Sequence, residues 1–189
     1  MKWIQGIGAA LLVAVIALFA PELLEDDIPE DLVPVELVRV VDGDTIKVMY
    51  KGKERSVRYL FIDTPETVHP KRPAQCFGQE ASDRNKEILH AADQVYLHFE
   101  KRKNDTSDRL EDEDKYGRLL AHIYADDVNV QEVLLQEGLA RLAFIEGYDT
   151  PTLDRYKEAA NKAQAKKIGV WSYEGYTTNR GFRDDVCTP

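Results

Sequence analysis

Three strand-like segments follow one another early in this chain, and tight turns separate them. The segments "VELVRVV" (35–41) and "TIKVMY" (45–50) are rich in β-branched residues, and "DGD" (42–44) between them is a strong hairpin signal. "KGKE" makes a second turn, and "RSVRYLFI" (55–62) makes a third strand. Because turns this short favour antiparallel pairing between sequence neighbours, the pattern predicts a small antiparallel sheet.

The rest of the chain adds two strands and three helices. The strands are "QVYLHFE" (94–100) and the first part of "GRLLAHIYADDVNV" (117–130). The helices are "GQEASDRNKEILHAA" (78–92), a short segment that Gly138 ends, and one that begins at Pro151 and is closed by Gly169. We therefore predict an α+β fold, a five-stranded antiparallel barrel of the oligonucleotide-binding (OB) type with three helices.

Helical periodicity also predicts which side chains face the core. In the first helix these are Ala81, Asn85, Ile88, Leu89 and Ala92. In the third helix they are Leu153, Tyr156, Ala160 and Ala163. Both helices are thus expected to cover the barrel with one face.

The N-terminal segment "WIQGIGAALLVAVIALFA" (3–20) has no charged residue, and Lys2 precedes it. It is long enough to span a bilayer, and it also resembles a signal peptide with a short basic start. Pro21 makes the position after Ala20 a poor cleavage site, so residues 1–20 are either an uncleaved anchor or a cleaved signal peptide. Both alternatives predict a secreted or membrane-anchored protein whose main domain is extracytoplasmic. A buried core helix is disfavoured because the segment has no polar face.

Charge is unevenly distributed along the chain. The segment "PELLEDDIPEDLVP" (21–34) holds three prolines and six acids, which is typical of a spacer. The formal net charge is −9, but residues 1–34 contribute −5 and the acidic run 104–114 another −5, so the remainder is +1. The predicted main domain (35–173) can therefore bind a polyanion locally, although not through a broad basic surface. Residues 174–189 are predicted to be a C-terminal tail.

The two cysteines, Cys76 and Cys187, lie far apart in the sequence. In an exported protein they could form a disulfide that ties the C-terminal tail to the loop after the third strand. The alternative is two free thiols, and the sequence leaves both open.

Five motifs in a fixed order resemble the staphylococcal nuclease (thermonuclease) family. They are "VDGDT", "VRYLFIDTPET", "DKYGRLLAHIYAD", "GLARLAF" and "EAANKAQAKKIGVW", and they extend from about residue 35 to 171. The most specific are "IDTPE" with an arginine upstream and "KYGR" downstream. The resemblance implies a calcium-dependent nuclease on the OB barrel, which cleaves DNA and RNA with little sequence preference and leaves 3′-phosphate products.

Four acids lie where strands end, and the resemblance assigns roles to three of them. Asp44 follows the first hairpin turn and Asp63 ends the third strand, so neighbouring strands can bring both carboxylates together as hard oxygen ligands for Ca²⁺. The resemblance adds the backbone carbonyl of Thr64 as a third ligand. It makes Glu66 the general base that activates water. Asp42 is more simply interpreted as a turn residue.

Two arginines complete the predicted chemistry. By resemblance, Arg58 and Arg118 lie on opposite sides of the phosphate, where each guanidinium can offer a planar fork of donors. Lys115 and Tyr116 match the pair that contacts the nucleotide in the family. Each arginine also has a simpler interpretation, either as a solvated strand residue or, for Arg118, as a surface partner of Asp114.

The chain departs from the family where two tyrosines bind the nucleotide. Phe144 and Glu146 occupy the aligned positions. Phe144 can still stack on a base, but Glu146 cannot, and Tyr148 is the candidate substitute. Stacking of this kind favours single-stranded substrate.

Two other functions compete with a nuclease. The barrel could be a non-catalytic module that binds nucleic acid or peptide, or an envelope-tethered calcium-binding protein. The retained acids and arginines argue against the first. The chain is expected to be a monomer, with a membrane as partner only if the N-terminal segment stays uncleaved.

Two further groups of residues are given structural interpretations. The histidines His69, His90, His98 and His122 show no metal-ligand spacing and are interpreted as surface or strand residues. The acidic run 104–114 lacks the ordered ligand spacing of a calcium loop, so it is interpreted as a solvated loop.

Overall fold

The computed structural model describes residues 28–67, 73–107 and 111–187. Five longer strands form a barrel: β1 (Val33–Val40), β2 (Thr45–Tyr50), β3 (Lys53–Tyr59), β5 (Val95–His98) and β7 (Leu119–Ala125). Short strands accompany them: β4 (Ile62–Asp63), β6 (Asp112–Glu113), β8 (Val128–Asn129), β9 (Arg141–Leu142), β10 (Thr177–Thr178) and β11 (Gly181–Phe182). The α-helices in these residues are α1 (Gly78–Ala91), α2 (Val130–Gln136) and α3 (Pro151–Lys166), and a 3₁₀ turn follows at Gly169–Trp171.

The strand order confirms the predicted barrel. β1 pairs antiparallel with β2 on one side and with β5 on the other, β2 pairs with β3, and β5 pairs with β7. The barrel closes through β3 and β7, which run parallel from Val57↔Leu119 to Tyr59↔Ala121. This one parallel pairing joins strands far apart in sequence, and for that reason local hairpin patterns do not reveal it.

The two predicted hairpin turns differ in their chemistry. Between β2 and β3, Lys51 (φ 48°) and Gly52 (φ 75°) both have positive φ, as a two-residue turn that matches the strand twist requires. Between β1 and β2, the Asp42 carboxylate instead accepts a hydrogen bond from the Asp44 N–H at 3.0 Å. The β1–β2 turn therefore places two acids, Asp42 and Asp44, at the end of the barrel.

Helix α1 is fixed to that end of the barrel by a buried asparagine. The Asn85 side-chain amide donates to the Asp42 carbonyl at 2.9 Å, and its oxygen accepts from the Tyr59 hydroxyl at 2.8 Å. Ala81, Asn85 and Leu89 are buried as predicted, and Ile88 packs against the core. The side chain of Asn85 thus links the first turn to the end of β3.

Helix α3 buries the four residues that its periodicity predicts. Its N-cap is Thr150, whose hydroxyl accepts from the Leu153 N–H at 3.3 Å, and Pro151 follows at the first position. The predicted end at Gly169 is wrong by three residues, because Lys167 adopts a left-handed conformation (φ 53°) and caps the helix. Gly169 instead packs so closely on Gly138 that a Cβ would overlap the Gly138 carbonyl.

Both ends of the described chain are more ordered than the sequence suggests. β1 begins inside the predicted spacer, since Val33 pairs with Leu97 and Pro34 with Tyr96. The predicted anchor or signal peptide lies outside the described residues. Within the described ranges, no helix is both long and apolar enough to cross a bilayer.

The predicted C-terminal tail packs against the domain through a disulfide. Cys76 and Cys187 are bonded, with their Cα atoms 6.1 Å apart, which confirms the first of the two alternatives. The buried Tyr176 lies beside this bond and donates its hydroxyl hydrogen to the Cys76 carbonyl at 2.7 Å. The β10–β11 hairpin is therefore held against the loop that precedes α1.

Candidate active site

A cleft of about 840 Å³ opens at the end of the barrel where the β1–β2 turn meets the end of β3. It has the size typical of ligand-binding pockets. All ten residues predicted to act in the site line this cleft: Asp44, Arg58, Asp63, Thr64, Glu66, Lys115, Tyr116, Arg118, Phe144 and Tyr148. They come from five separate segments of the chain, and the fold brings them together.

Asp44 is the most deeply buried of the predicted metal ligands, with 2% of its surface exposed. One carboxylate oxygen accepts from the backbone N–H of Thr64 at 2.8 Å and from the Thr64 hydroxyl at 3.0 Å. The other oxygen accepts from the Thr45 hydroxyl at 3.1 Å and pairs with Arg58. Four donors therefore hold this carboxylate in a fixed position beside Thr64.

Gly43 makes this approach possible. A Cβ at this position would lie 2.6 Å from the Thr64 hydroxyl oxygen and 2.9 Å from the Ala81 methyl group. Any side chain would therefore push the β1–β2 turn away from both Thr64 and helix α1. The glycine of "DGD" is required for close packing at the site, and its φ is not positive.

Asp63 lies between two arginines. One of its oxygens accepts from Arg58 at 2.8 Å, and the other accepts from Arg141 Nε at 3.0 Å. Since Arg58 also pairs with Asp44, one guanidinium joins the two predicted metal ligands. Arg141 is buried, and its β9 position is the register partner of Asp63.

Sequence reasoning does not assign a role to Arg141. It lies within "GLARLAF", so its signal is only its place in a family motif. The structure shows that it holds Asp63 from the side opposite Arg58. Arg141 therefore positions one of the two carboxylates.

Asp42 also lines the cleft, in addition to its role in the turn. Burial raises the pKa of this carboxyl to about 6, and the negative charge of Glu66 adds to the effect while Arg58 opposes it. The turn interpretation is correct but incomplete, because the side chain also contributes a third acid to the site.

The oxygen donors at this end of the cleft fit a hard cation. Three carboxylates, Asp42, Asp44 and Asp63, lie beside Thr64, and the arginine charge between them balances part of their charge. Ca²⁺ takes carboxylate and backbone carbonyl oxygens in variable number, so the donor set suits it. The Thr64 carbonyl stays a predicted ligand.

Glu66 lies half-buried in the loop between β4 and α1. Its backbone is fixed at two points, because its N–H donates to the Gln75 side chain at 2.9 Å and its carbonyl accepts from the Gln75 N–H at 2.8 Å. Gln75 also donates to Asp184 at 2.5 Å. The sequence does not point to Gln75, whose side chain links the loop of Glu66 to the C-terminal segment.

Arg118 faces the cleft from the turn between β6 and β7. Its Nε donates to the Asp114 carboxylate at 2.7 Å, so the simpler interpretation, a partner for Asp114, is also correct. Burial would raise the pKa of Asp114, but hydrogen bonds from the backbone and guanidinium of Arg118 lower it below its ordinary value. Asp114 therefore stays ionised and orients the guanidinium that lines the cleft.

The aromatic side chains divide into exposed and buried ones. Tyr116 and Phe144 are 73% and 66% exposed, so both present ring faces to solvent. Tyr148 is only 8% exposed and packs edge-on against Phe61 at 4.7 Å between ring centroids. The Tyr148 ring therefore forms part of the cleft wall, and its role as the substitute for a stacking tyrosine stays a prediction. Glu146 is exposed but does not line the cleft.

The C-terminal hairpin forms a wall that sequence reasoning missed. Arg180, Gly181 and Phe182 line the cleft, and the Arg141 guanidinium lies 5.8 Å from the centre of the Phe182 ring. Residues 174–189 carry no family motif, and only Cys187 indicated that they fold back. The C-terminal hairpin thus adds a cation and an aromatic ring to the cleft that the sequence does not predict.

Comparison with known proteins finds a nuclease family and relatives that are named as nucleases. A family model described as "Staphylococcal nuclease homologue" matches residues 56–173. "Endonuclease YncB" of Bacillus subtilis (strain 168) is 48% identical over 155 residues, which cover 82% of this chain and 69% of that protein. "SPbeta prophage-derived endonuclease YokF" of the same organism is 48% identical over 157 residues, or 83% of this chain and 50% of its own length. "Thermonuclease" of Staphylococcus hyicus is 38% identical over 137 residues, which cover 72% of this chain and 75% of that protein.

Proposed function

The chain belongs to the staphylococcal nuclease family, and from this premise we propose that it is a calcium-dependent endonuclease that hydrolyses DNA and RNA with little sequence preference. The observation that carries the proposal is the cleft itself, in which oxygen ligands, two guanidinium groups and Glu66 converge. Phosphodiester hydrolysis needs these three elements: an electrophilic centre, charge stabilisation on the phosphate and a base for water.

Asp44, Asp63 and the Thr64 carbonyl would hold the calcium ion. The bound ion would supply Lewis-acid stabilisation of the negative phosphate oxygens. The protein's own contribution is to fix the carboxylates in advance, through Thr64 and Thr45 on Asp44 and through Arg141 on Asp63. This preorganisation supports a specific site rather than loose binding of a cation to an acidic surface.

Glu66 would act as the general base. It accepts a proton from the attacking water, whose oxygen bonds to phosphorus while the bond to the 5′ oxygen breaks. The 5′ oxygen takes up a proton from solvent as it leaves, and Glu66 returns its proton to solvent, so the products carry a 3′-phosphate and a free 5′-hydroxyl. The double backbone contact with Gln75 supports this role, because it holds the short Pro65–Glu66 loop at a set distance from the metal ligands.

Arg58 and Arg118 would bind the phosphate from two sides. Both line the cleft, and each is already oriented by a carboxylate, Asp63 for Arg58 and Asp114 for Arg118. A guanidinium held in this way loses little entropy on meeting a phosphate and can donate two parallel hydrogen bonds. Such contacts are most useful when they strengthen as charge develops in the transition state.

Lys115, Tyr116 and Phe144 would bind the nucleotide next to the scissile bond. The exposed rings of Tyr116 and Phe144 can stack on bases, and Lys115 can pair with a phosphate. Unpaired bases are required for stacking, so single-stranded or frayed substrate is favoured. We also propose that the enzyme works as a monomer outside the cytoplasm, secreted or anchored, in line with the disulfide.

A fluorescent-oligonucleotide assay tests the proposal. We expect cleavage with Ca²⁺, little with Mg²⁺ and none with chelator, and products with 3′-phosphate ends. Binding of the oligonucleotide without cleavage would instead identify a non-catalytic binding module. Calcium binding with neither cleavage nor oligonucleotide binding would identify a calcium-binding protein.

A further inference from the structure

A second cluster of ligand-type side chains lies behind the cleft, between the β5–β7 pair and helix α3, on the strand face opposite the core residues Leu97 and Ile123. His98 on β5 and His122 on β7 are register partners, and Glu100 follows β5 by two residues. Each of the three offers one ligand atom, and these atoms lie within 4.8 Å of one another. Both histidines are strand residues, as predicted. His122 is completely buried, so it is not a surface residue.

All three side chains are largely removed from solvent. His122 is 0% exposed, and the side chains of Glu100 and His98 are 10% and 13% exposed. His122 Nε2 lies 2.9 Å from a Glu100 carboxylate oxygen. Burial lowers the pKa of His122, although Glu100 opposes the shift. A neutral imidazole beside an ionised carboxylate is the protonation state in which both groups ligate metals.

Two buried polar atoms of the cluster have no hydrogen-bond partner within the described part of the chain: His98 Nδ1 and Glu100 Oε1. Buried polar atoms without partners are rare in folded proteins, and each one calls for an explanation. Here two of them occur in one cluster, next to a third ligand atom. A bound cation would satisfy both.

The outer nitrogen of each imidazole already has a partner. His98 Nε2 lies 3.3 Å from Asp31, and His122 Nδ1 lies 3.0 Å from the Tyr156 hydroxyl. In metal sites, a carboxylate or other hydrogen-bonding group on the outer nitrogen fixes the ring and leaves the inner nitrogen to the metal. The arrangement therefore leaves Nδ1 of His98 and Nε2 of His122 for coordination.

We propose that His98, Glu100 and His122 bind a transition-metal ion of the zinc type, at a site separate from the calcium ligands. Two imidazoles and one carboxylate are a common protein ligand set for Zn²⁺, whereas Ca²⁺ prefers oxygen ligands alone. Tetrahedral bonds of about 2.1 Å place ligand atoms roughly 3.4 Å apart. The ligand atoms lie within 4.8 Å of one another, and the His98 and His122 rings stack 27° from parallel with 5.6 Å between centroids, so metal binding requires the His98 ring and the Glu100 carboxylate to rotate toward the ion.

The position of the cluster connects it to the active site. The Phe61 ring contacts His122 on one side at 5.0 Å between ring centroids and Tyr148 on the other at 4.7 Å. Phe61 and Tyr148 both line the cleft. A metal at His98, Glu100 and His122 would therefore stabilise the barrel and the wall behind the nucleotide site without touching the substrate.

Metal titration of the full chain tests the proposal. With Ca²⁺ in excess, we expect one equivalent of Zn²⁺ to bind and to raise the thermal midpoint. Co²⁺ should give the visible absorption bands of a tetrahedral N/O site. His98→Ala and Glu100→Gln should each lower Zn²⁺ affinity by more than about 100-fold, because even the loss of an outer partner costs roughly 10- to 100-fold.

Two control variants make the test specific. His90→Ala removes an exposed histidine at the end of α1 and should leave Zn²⁺ binding unchanged. Asp44→Ala removes a calcium ligand and should also leave it unchanged. Circular dichroism of each metal-free variant confirms folding. Zn²⁺ binding that survives in folded His98→Ala and Glu100→Gln, or that is lost in Asp44→Ala, would overturn the assignment, as would the absence of any stoichiometric binding.

Discussion

The cleft has two sides that are built in opposite ways. The metal side consists of Asp42, Asp44, Arg58, Asp63 and Thr64, which are buried or half-buried and joined by hydrogen bonds on strand ends. The substrate side consists of Lys115, Tyr116, Phe144, Arg180 and Phe182, which lie in turns or in the short C-terminal hairpin. Under the proposed function, the chemistry that needs fixed geometry lies on the rigid barrel, and the contacts that must adapt to varied bases lie on loops.

This difference predicts two kinds of mutant. Changes on the metal side should reduce turnover by large factors, because they remove interactions that must be in place in the transition state. Changes on the substrate side should mainly raise KM, by smaller factors.

The largest effect is expected for Asp44→Ala. We expect activity to fall to the level seen with chelator and calcium binding to be lost, because no other residue replaces this buried carboxylate. Calorimetric titration of calcium, with and without a nucleotide bisphosphate, measures it. In the wild type the nucleotide should tighten calcium binding, since each ligand offsets charge that the other brings. Equal calcium affinity in the variant and the wild type would place the metal elsewhere.

Glu66→Gln should reduce turnover by at least about 100-fold, the usual effect of losing a general base. The amide keeps the shape of the side chain, and the backbone contacts to Gln75 do not involve it, so the thermal midpoint should change little. Single-turnover cleavage with saturating calcium measures the chemical step. Wild-type turnover in this variant would exclude Glu66 as the base.

Arg118→Lys should lower turnover by roughly tenfold or more, because the charge is kept and the bidentate geometry is lost. Lysine can still pair with Asp114, so the β6–β7 turn should stay folded. Steady-state kinetics separate the two parameters. A rise in KM with unchanged turnover would show that Arg118 binds the substrate and does not take part in the chemical step.

Phe144→Ala should raise KM by about tenfold with turnover nearly unchanged, since stacking on one base contributes roughly 1–3 kcal/mol. The comparison variant is Tyr148→Phe, which removes only the hydroxyl from a ring that is buried against Phe61 and should have little effect on KM. Kinetics on a single-stranded oligonucleotide compare the two. A larger KM effect from Tyr148→Phe would instead give the Tyr148 hydroxyl a role in substrate binding and contradict the importance assigned to Phe144.

The smallest effect concerns Asp42 and pH. Its ordinary pKa is 3.8, and burial raises it to about 6 in the folded protein. Between these values only the folded state holds the proton, so this residue's contribution to the free energy of unfolding decreases as pH rises from about 4 to 6. Asp42→Asn lacks this titration and can still accept the hydrogen bond from the Asp44 N–H.

Urea unfolding without calcium, at pH 4.5 and at pH 7, measures this change. The stability of Asp42→Asn relative to the wild type should increase with pH over this window. A constant difference between the two proteins at both pH values would show that the Asp42 carboxyl is not perturbed by burial.

The metal side could be predicted from the sequence largely because its information is local. "DGD" defines a turn, "IDTPE" defines a strand end with a stiff loop, and the family order relates the two. The buried faces of the helices were predictable for the same reason, because the helical periodicity of apolar residues decides which side of α3 faces the core. Gly43 shows the limit: the turn is visible in sequence, but the close contact with Thr64 and Ala81 is visible only in three dimensions.

The remaining features depend on contacts between distant segments. Arg141 meets Asp63 because β9 pairs with β4, and His98 meets His122 because β5 pairs with β7. Neither pairing is encoded by spacing in the chain. The C-terminal wall depends on the disulfide partner of Cys187, which the sequence allowed but did not require. The burial of Tyr148 could not be predicted either, because residue type does not decide whether a ring is exposed.

The Cys76–Cys187 bond changes the covalent topology of the domain. It closes a ring with a sequence separation of 111 residues, which contains β5, β7, α1, α2, α3 and the acidic run 104–114, whereas β1, β2 and β3 precede Cys76. A protease that cuts once within that run therefore opens the ring but releases no fragment, because both halves stay joined through the sulfur atoms. Such a nicked protein would run as one species on a non-reducing gel and as two after reduction. An enzyme with this topology can survive a first cut with its active-site residues still on one connected molecule.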